Sequence, residues 1–203
     1  MKSNIIILSN SEKSTVDALS LIENFYTDVS PKSRLRLRLL AEETMNLVRT
    51  ITGETDMTAE FWAEKEGDLC SLHLNTNTVM YAQKRKELME IATNKSNAAA
   101  KGVLGKIREV FELALLPKDE RTARESRIGM MGLADPTSYM ASPNETWKMS
   151  AYINNVNETE DANEFVQEAR NELERSILGN IAKDVTIGIV GDDVSMIIEY
   201  ECE

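Results

Sequence analysis

The sequence predicts an α+β fold, a two-layer sandwich in which a mostly antiparallel, mixed sheet carries helices packed on one face. Three features predict it. Helical and extended patterns are interspersed along the chain. The two clearest strand pairs are hairpins, 58–64 with 69–76 and 185–190 with 194–200. The segment 32–52 carries an apolar stripe at helical spacing.

The elements follow in order. Residues 4–8 form a β-branched run that ends at Ser9-Asn10-Ser11, a first strand. Ser14 offers an N-cap, and Val16, Leu19, Ile22 and Phe25 recur at helical spacing to about Tyr26. Ser30-Pro31 then opens a second helix, with Ser30 as cap and Pro31 in the first turn, running to a stop at Gly53. Glu66-Gly67-Asp68 supplies turn chemistry between strands 58–64 and 69–76. A short helix is expected at about 81–91, a polar stretch at Thr93-Asn94-Lys95-Ser96-Asn97, and an amphipathic helix on Val103, Ile107, Val110, Phe111 and Ala114. Residues 118–145 read as a long loop or insertion around Gly129 to Pro136, of the kind that serves as a lid or a binding loop. Trp147 to Val156 reads as a strand, 160–182 as a helix on Phe165, Val166, Ala169, Leu173, Ile177 and Ile181. The last hairpin turns at Gly191-Asp192-Asp193 and completes the same sheet, so 1–203 is taken as one domain.

Composition narrows the function classes. The 203 residues carry 34 acidic and 23 basic side chains, a net charge of −11, which repels a phosphate backbone. The longest basic run is Lys84-Arg85-Lys86, so no nucleic acid is expected as a partner. Cys70 and Cys202 form no disulfide framework, and with His73 as the single histidine the usual metal-ligand sets are missing. No stretch reaches the length of a membrane span, and the apolar run at 5–8 is too short for a signal-peptide core. A cytoplasmic protein is expected. His73 alternates with Ser71 and Asn75 away from Leu72 and Leu74, as a solvated or half-buried strand histidine would, and no Ser/His/Asp set surrounds it.

The second helix carries the functional reading. Leu37, Leu40, Thr44, Leu47, Val48 and Ile51 share one arc, while Glu42, Asn46 and Arg49 lie roughly opposite, with Leu35 and Leu39 on that second face nearer its start. Glu42 and Asn46 are one turn apart and point into the same space. Such a pair suits a solvated helix face. Most such pairs are only that, but the same pair also fits a pocket where a carboxylate orients water and a carboxamide oxygen ligates Mg²⁺.

The run Arg36-Leu37-Arg38-Leu39-Leu40-Ala41-Glu42-Glu43-Thr44-Met45-Asn46-Leu47-Val48 resembles the N-box of GHKL (Bergerat-fold) ATPases, and most of all the anti-sigma-factor serine kinase branch. The family's Glu-x-x-x-Asn falls on Glu42 and Asn46. The resemblance implies Glu42 as general base and Asn46 as ligand to Mg²⁺ and cofactor, in a histidine kinase-like ATPase sandwich binding ATP. It spans about 3–116, to which the final hairpin can be added. At the family's first glycine box, Asp-x-Gly-x-Gly, this chain has Asn75-Thr76-Asn77-Thr78-Val79-Met80. Asn75 and Asn77 are the candidates there, because a carboxamide oxygen can accept from the adenine amino group. The second box is matched by Lys101-Gly102-Val103-Leu104-Gly105-Lys106 before a helix, where Lys101, Gly102, Gly105 and Lys106 would meet the phosphates.

Two functions from different classes follow. One is an ATP- and Mg²⁺-dependent regulatory protein, an ATPase or a serine/threonine kinase acting on a protein partner. The other is a degenerate module of the same fold that binds a partner and no nucleotide. A second copy of the chain, as a homodimer, is a further candidate partner.

Overall fold

The computed structural model describes residues 1–9, 11–52, 58–77, 146–158, 176–190 and 193–203. The elements are β1 (Ile6–Leu8), α1 (Glu12–Phe25), α2 (Pro31–Thr52), β2 (Ala59–Glu66), β3 (Leu69–Asn77), β4 (Thr146–Lys148), α3 (Met149–Glu158), α4 (Ile177–Ile181), β5 (Asp184–Val190) and β6 (Asp193–Glu201). Six strands form one sheet in the order β1-β2-β3-β6-β5-β4. The fold is α+β, and every strand pairing among the described residues is antiparallel, so the mixed character expected of the sheet is corrected here.

Both expected hairpins form. Glu66 pairs with Leu69 across the two-residue loop Gly67-Asp68, and Gly67 sits at φ 60°, where a side chain would be strained. Val190 pairs with Asp193, which places Asp193 in the strand rather than in the turn. Strict alternation assigns each strand's faces. Cys70, Leu72, Leu74 and Thr76 of β3 pair across from Tyr200, Ile198, Met196 and Val194 of β6, and all eight are buried. Tyr200 Oη lies 3.3 Å from Ser33 Oγ on α2, so this is the face under the helices. The other face carries Ser71, His73, Asn75 and Asn77 beside Glu199, Ile197, Ser195 and Asp193.

Helix α2 buries Leu37, Leu40, Ala41, Thr44, Met45, Leu47 and Val48, which is the expected arc. A fully buried Leu side chain contributes about 1.5–3 kcal/mol, so Leu37 and Leu40 anchor this helix. Ser30 caps it, accepting from the Ser33 N–H at 3.1 Å. Leu35 stands exposed, so the start of α2 is apolar on two sides but covered on one. The side chains of Arg49 and Ile51 fall outside the described set.

Three expected boundaries are corrected. The α1 cap is Ser11, extended at φ −73° and ψ 149°, because the Ser14 hydroxyl turns inward and accepts from the Ser9 N–H at 2.8 Å. The strand expected from Trp147 to Val156 is only Thr146–Lys148. It gives way to α3 because Asp184, opposite, caps a helix there: its carboxylate accepts from Ser150 N–H at 3.0 Å and Ser150 Oγ at 2.8 Å. Of the helix expected over 160–182 the described part is α4, which starts only after Ser176, whose backbone is extended and whose Oγ accepts from Gly179 N–H at 3.1 Å. The helices expected at 81–91 and 103–116, the 118–145 loop, the 160–175 part of the last long helix, and the turns at Gly53 and Gly191 lie outside the described residues.

Candidate functional site

On α2, Glu42 is half-buried and Asn46 exposed, one turn apart as expected. The Glu42 carboxylate accepts from Arg38 Nε at 3.2 Å, and the same guanidinium pairs with Glu23 of α1. Hydrogen bonding to Glu42, then the charge of Glu23, holds the Arg38 pKa above its ordinary value. Glu42 therefore belongs to a bracket that ties α2 to α1. Its neighbour Glu43 has a carboxyl pushed up by burial alone, a perturbed group that the helical spacing did not single out.

Asn75 and Asn77 project from the sheet face opposite the helices. They line a depression of about 270 Å³ at one end of the sheet, with Ile7, Glu60, Thr76 and Asp193 around it. Asn77 Nδ2 donates to Asp193 Oδ1 at 2.8 Å. The β3 residue that turns toward the helical layer at this end is Thr76, whose hydroxyl donates to Thr58 O at 3.0 Å. The structure thus brings Asn75 and Asn77 together on one side of the sheet and Glu42 and Asn46 on the other. Lys101, Gly102, Gly105 and Lys106 lie outside the described residues.

The most ordered constellation of polar and aromatic groups was not anticipated. The hairpin register sets Trp62 directly across from His73, and the rings stack at 4.9 Å between centroids with 9° between planes. Trp62 Nε1 donates to Glu64 Oε1 at 2.8 Å, and Lys2 Nζ lies 3.3 Å from the same carboxylate and 4.5 Å from the Trp62 ring centre. The indole bond, His73 and Lys2 together hold the Glu64 carboxyl below its ordinary range against the opposing effect of its partial burial. Burial lowers the His73 pKa and outweighs the pull of Glu64 in the other direction. A groove of about 640 Å³ opens over this cluster, edged by Lys2, Glu64, Glu66, Ser71, His73 and Glu199.

Ser71 Oγ lies 2.9 Å from His73 Nε2, and Glu64 Oε2 lies 3.7 Å from that same nitrogen. A nucleophilic triad needs serine and carboxylate on opposite nitrogens, so that one orients the ring and the other receives its help. With both partners on Nε2 this set cannot work as a relay. What the cluster can do is hold a cation between an aromatic face and a carboxylate. Among the described residues no group of three or more His, Cys, Asp or Glu side chains is placed to hold a metal, and no helix is long and apolar enough to cross a membrane.

The Trp62–His73 pairing was in principle readable, because a two-residue turn at Gly67-Asp68 fixes which residues face each other. The arrival of Lys2 was not, since it depends on an isolated bridge to Glu64 from 62 residues away in sequence. Comparison with protein-family models, curated proteins and solved structures returns no match for this chain.

Proposed function

We propose that the chain is a GHKL-like sandwich that works as a protein-interaction module without nucleotide, presenting to a cationic partner the sheet face that the described helices leave open. One observation carries this reading: the residues expected to meet adenine and those expected to hold Mg²⁺ and activate water leave the scaffold on opposite sides of the sheet. In a nucleotide pocket these groups converge on a single ligand. Reduced Cys70 and Cys202 suit a cytoplasmic setting.

The test is the melting temperature of the purified chain with ATP, ADP and GTP, each with and without Mg²⁺. A ligand that binds only the folded state stabilises it by about 2.7 kcal/mol at a hundredfold excess over its Kd. No shift at millimolar nucleotide is expected. A Mg²⁺-dependent shift with adenine nucleotides that disappears in Asn46→Ala would overturn the proposal.

That outcome would favour the second reading, an ATPase or anti-sigma-factor-like serine kinase with Glu42 as base and Asn46 on Mg²⁺. The observation on its side is that Glu42 and Asn46 stand outside the core, one turn apart on the same helix.

A further inference from the structure

We infer that the groove edged by Glu64, beside the Trp62 ring, receives a lysine or arginine side chain from a basic segment of a protein partner, and that the chain's own Lys2 holds this place in the partner's absence. The inference rests on the interaction-module reading and specifies the partner's chemistry.

The cage is already seen holding an ammonium group. Lys2 Nζ sits 4.5 Å from the centre of the Trp62 ring and 3.3 Å from Glu64 Oε1. The ring and the carboxylate are fixed before any cation arrives, because Trp62 Nε1 donates to that same Oε1 and His73 stacks on the indole. A preorganised aromatic face beside a carboxylate binds a cation without the cost of ordering the site.

Charge around the cage favours a basic segment over an isolated cation. Glu66 and Glu199 edge the same groove as Glu64, whereas Glu201, further along β6, is paired with Lys183 at 3.1 Å. Lys65, which also lines the groove, is bound to Asp28 at 2.6 Å. A chain with net charge −11 attracts a basic partner at long range as well.

Lys2 is a replaceable occupant. Its side chain is 51% exposed, and the contact is an exposed ion pair supplemented by one cation–π contact, which together are weak in water. The groove of about 640 Å³ extends beyond Lys2 along β2, β3 and β6, leaving room for neighbouring residues of the incoming segment. Recognition is therefore an exchange of one ammonium for another, with the extra carboxylates supplying the net gain.

The test uses the full chain, labelled with ¹⁵N, and hexalysine amide as the probe. Of the two indole N–H signals, that of Trp62 is assigned with Trp62→Phe and followed during titration at low ionic strength and again at about 0.15 M salt. The probe is expected to move the Trp62 signal. Glu64→Gln should weaken the apparent Kd about fivefold or more, whereas Asp17→Asn, which removes one unit of charge from an exposed position on α1, should change it less than about twofold. Lys2→Ala should tighten binding about threefold by removing the internal competitor.

Absence of any shift with millimolar probe in Lys2→Ala would overturn the site. So would equal weakening by Glu64→Gln and Asp17→Asn, which would reduce the effect to net charge. Unchanged affinity in Lys2→Ala would overturn the placeholder role. Nucleotide-induced melting shifts are a separate readout, so the interaction-module reading and this assignment can fail independently.

Discussion

Replacing Tyr26 by Phe removes one oxygen from the best-defined buried polar contact in the fold. Tyr26 is fully buried, and its hydroxyl lies 2.9 Å from Glu64 O and 3.0 Å from Ser71 O, two carbonyls on opposed residues of β2 and β3. One phenolic proton thus serves two carbonyls directly beneath the Trp62–Glu64–His73 cluster. The lost hydrogen bond costs about 0.5–1.5 kcal/mol, and both carbonyls keep their ladder partners because Glu64 and Ser71 pair across β2 and β3. The ring and its edge-on contact with Phe25, at 4.9 Å between centroids, are kept, so no cavity term enters. A net loss of about 0.5–1.5 kcal/mol is expected, which for a chain of this size lowers Tm by roughly 1–6 °C. Calorimetry at neutral pH measures it.

A pH series adds a second, independent check on Tyr26. Burial raises its pKa far above the ordinary 10.0, so the folded chain keeps the proton that the unfolded chain loses. The unfolded state then binds fewer protons above pH 10, and wild-type stability falls there by up to about 1.4 kcal/mol per pH unit. Tyr26→Phe lacks this loss. The gap between the two proteins should therefore narrow as pH rises above 10. A variant within about 0.5 kcal/mol of wild type at neutral pH, or a gap that stays constant above pH 10, would refute the reasoning.

Four further outcomes are expected. Asp184→Ala strips acceptors from Ser150 N–H, Ser150 Oγ and Val185 N–H and should cost about 2–3 kcal/mol in urea unfolding, with Asp184→Asn losing about half as much. The His73 pKa lies below its ordinary 6.5 in the folded chain, so its contribution is complete above pH 6.5 and is lost as pH falls from there through the folded value; His73→Gln should flatten that part of the stability profile. Gly67→Val should cost about 1–2 kcal/mol in chemical denaturation and Gly67→Asn much less, because φ is 60° and no atom lies within 4 Å of an added Cβ, leaving backbone strain as the only penalty. Glu42→Gln should change stability by less than about 1 kcal/mol in the same assay, the expected worth of a solvent-exposed ion pair with Arg38.

Much of this fold was legible because its strongest signals are local. Gly67-Asp68 fixes the β2–β3 register, and alternation in 69–77 then assigns Leu72 and Leu74 to the core and His73 to the open face. Ser30-Pro31 marks the start of α2 by the same local logic. Where the reading failed, a distant partner decided. Residues 149–158 have enough apolar content for either a strand or a helix, and the capping carboxylate of Asp184 is 34 residues away from Ser150. The candidate site was only partly legible, for a related reason. Spacing puts Glu42 and Asn46 on one helix face but says nothing of Arg38 reaching across to Glu23, whereas alternation along β3 already sets Asn75 and Asn77 on the side away from Leu72 and Leu74.

Position along β3 explains why the open face, rather than the helical layer, collects the polar chemistry. Cys70, Leu72, Leu74 and Thr76 are committed to the core, so Ser71, His73, Asn75 and Asn77, with Leu69 at the strand's start, are the groups this strand offers to a ligand. Toward the helices, the polar groups beneath this strand are consumed internally: the Tyr26 hydroxyl by strand carbonyls, the Thr76 hydroxyl by Thr58 O, and the Ser33 hydroxyl by Tyr200. On the open face, Trp62, Glu64 and His73 are ordered by one another while a groove remains above them. Side chains locked by packing yet still accessible are what a recognition surface requires, because their ordering precedes the ligand. An acidic, aromatic surface of this kind discriminates by charge. A phosphorylated ligand brought to it would meet Glu64, Glu66 and Glu199, and a basic segment would meet the same residues as partners.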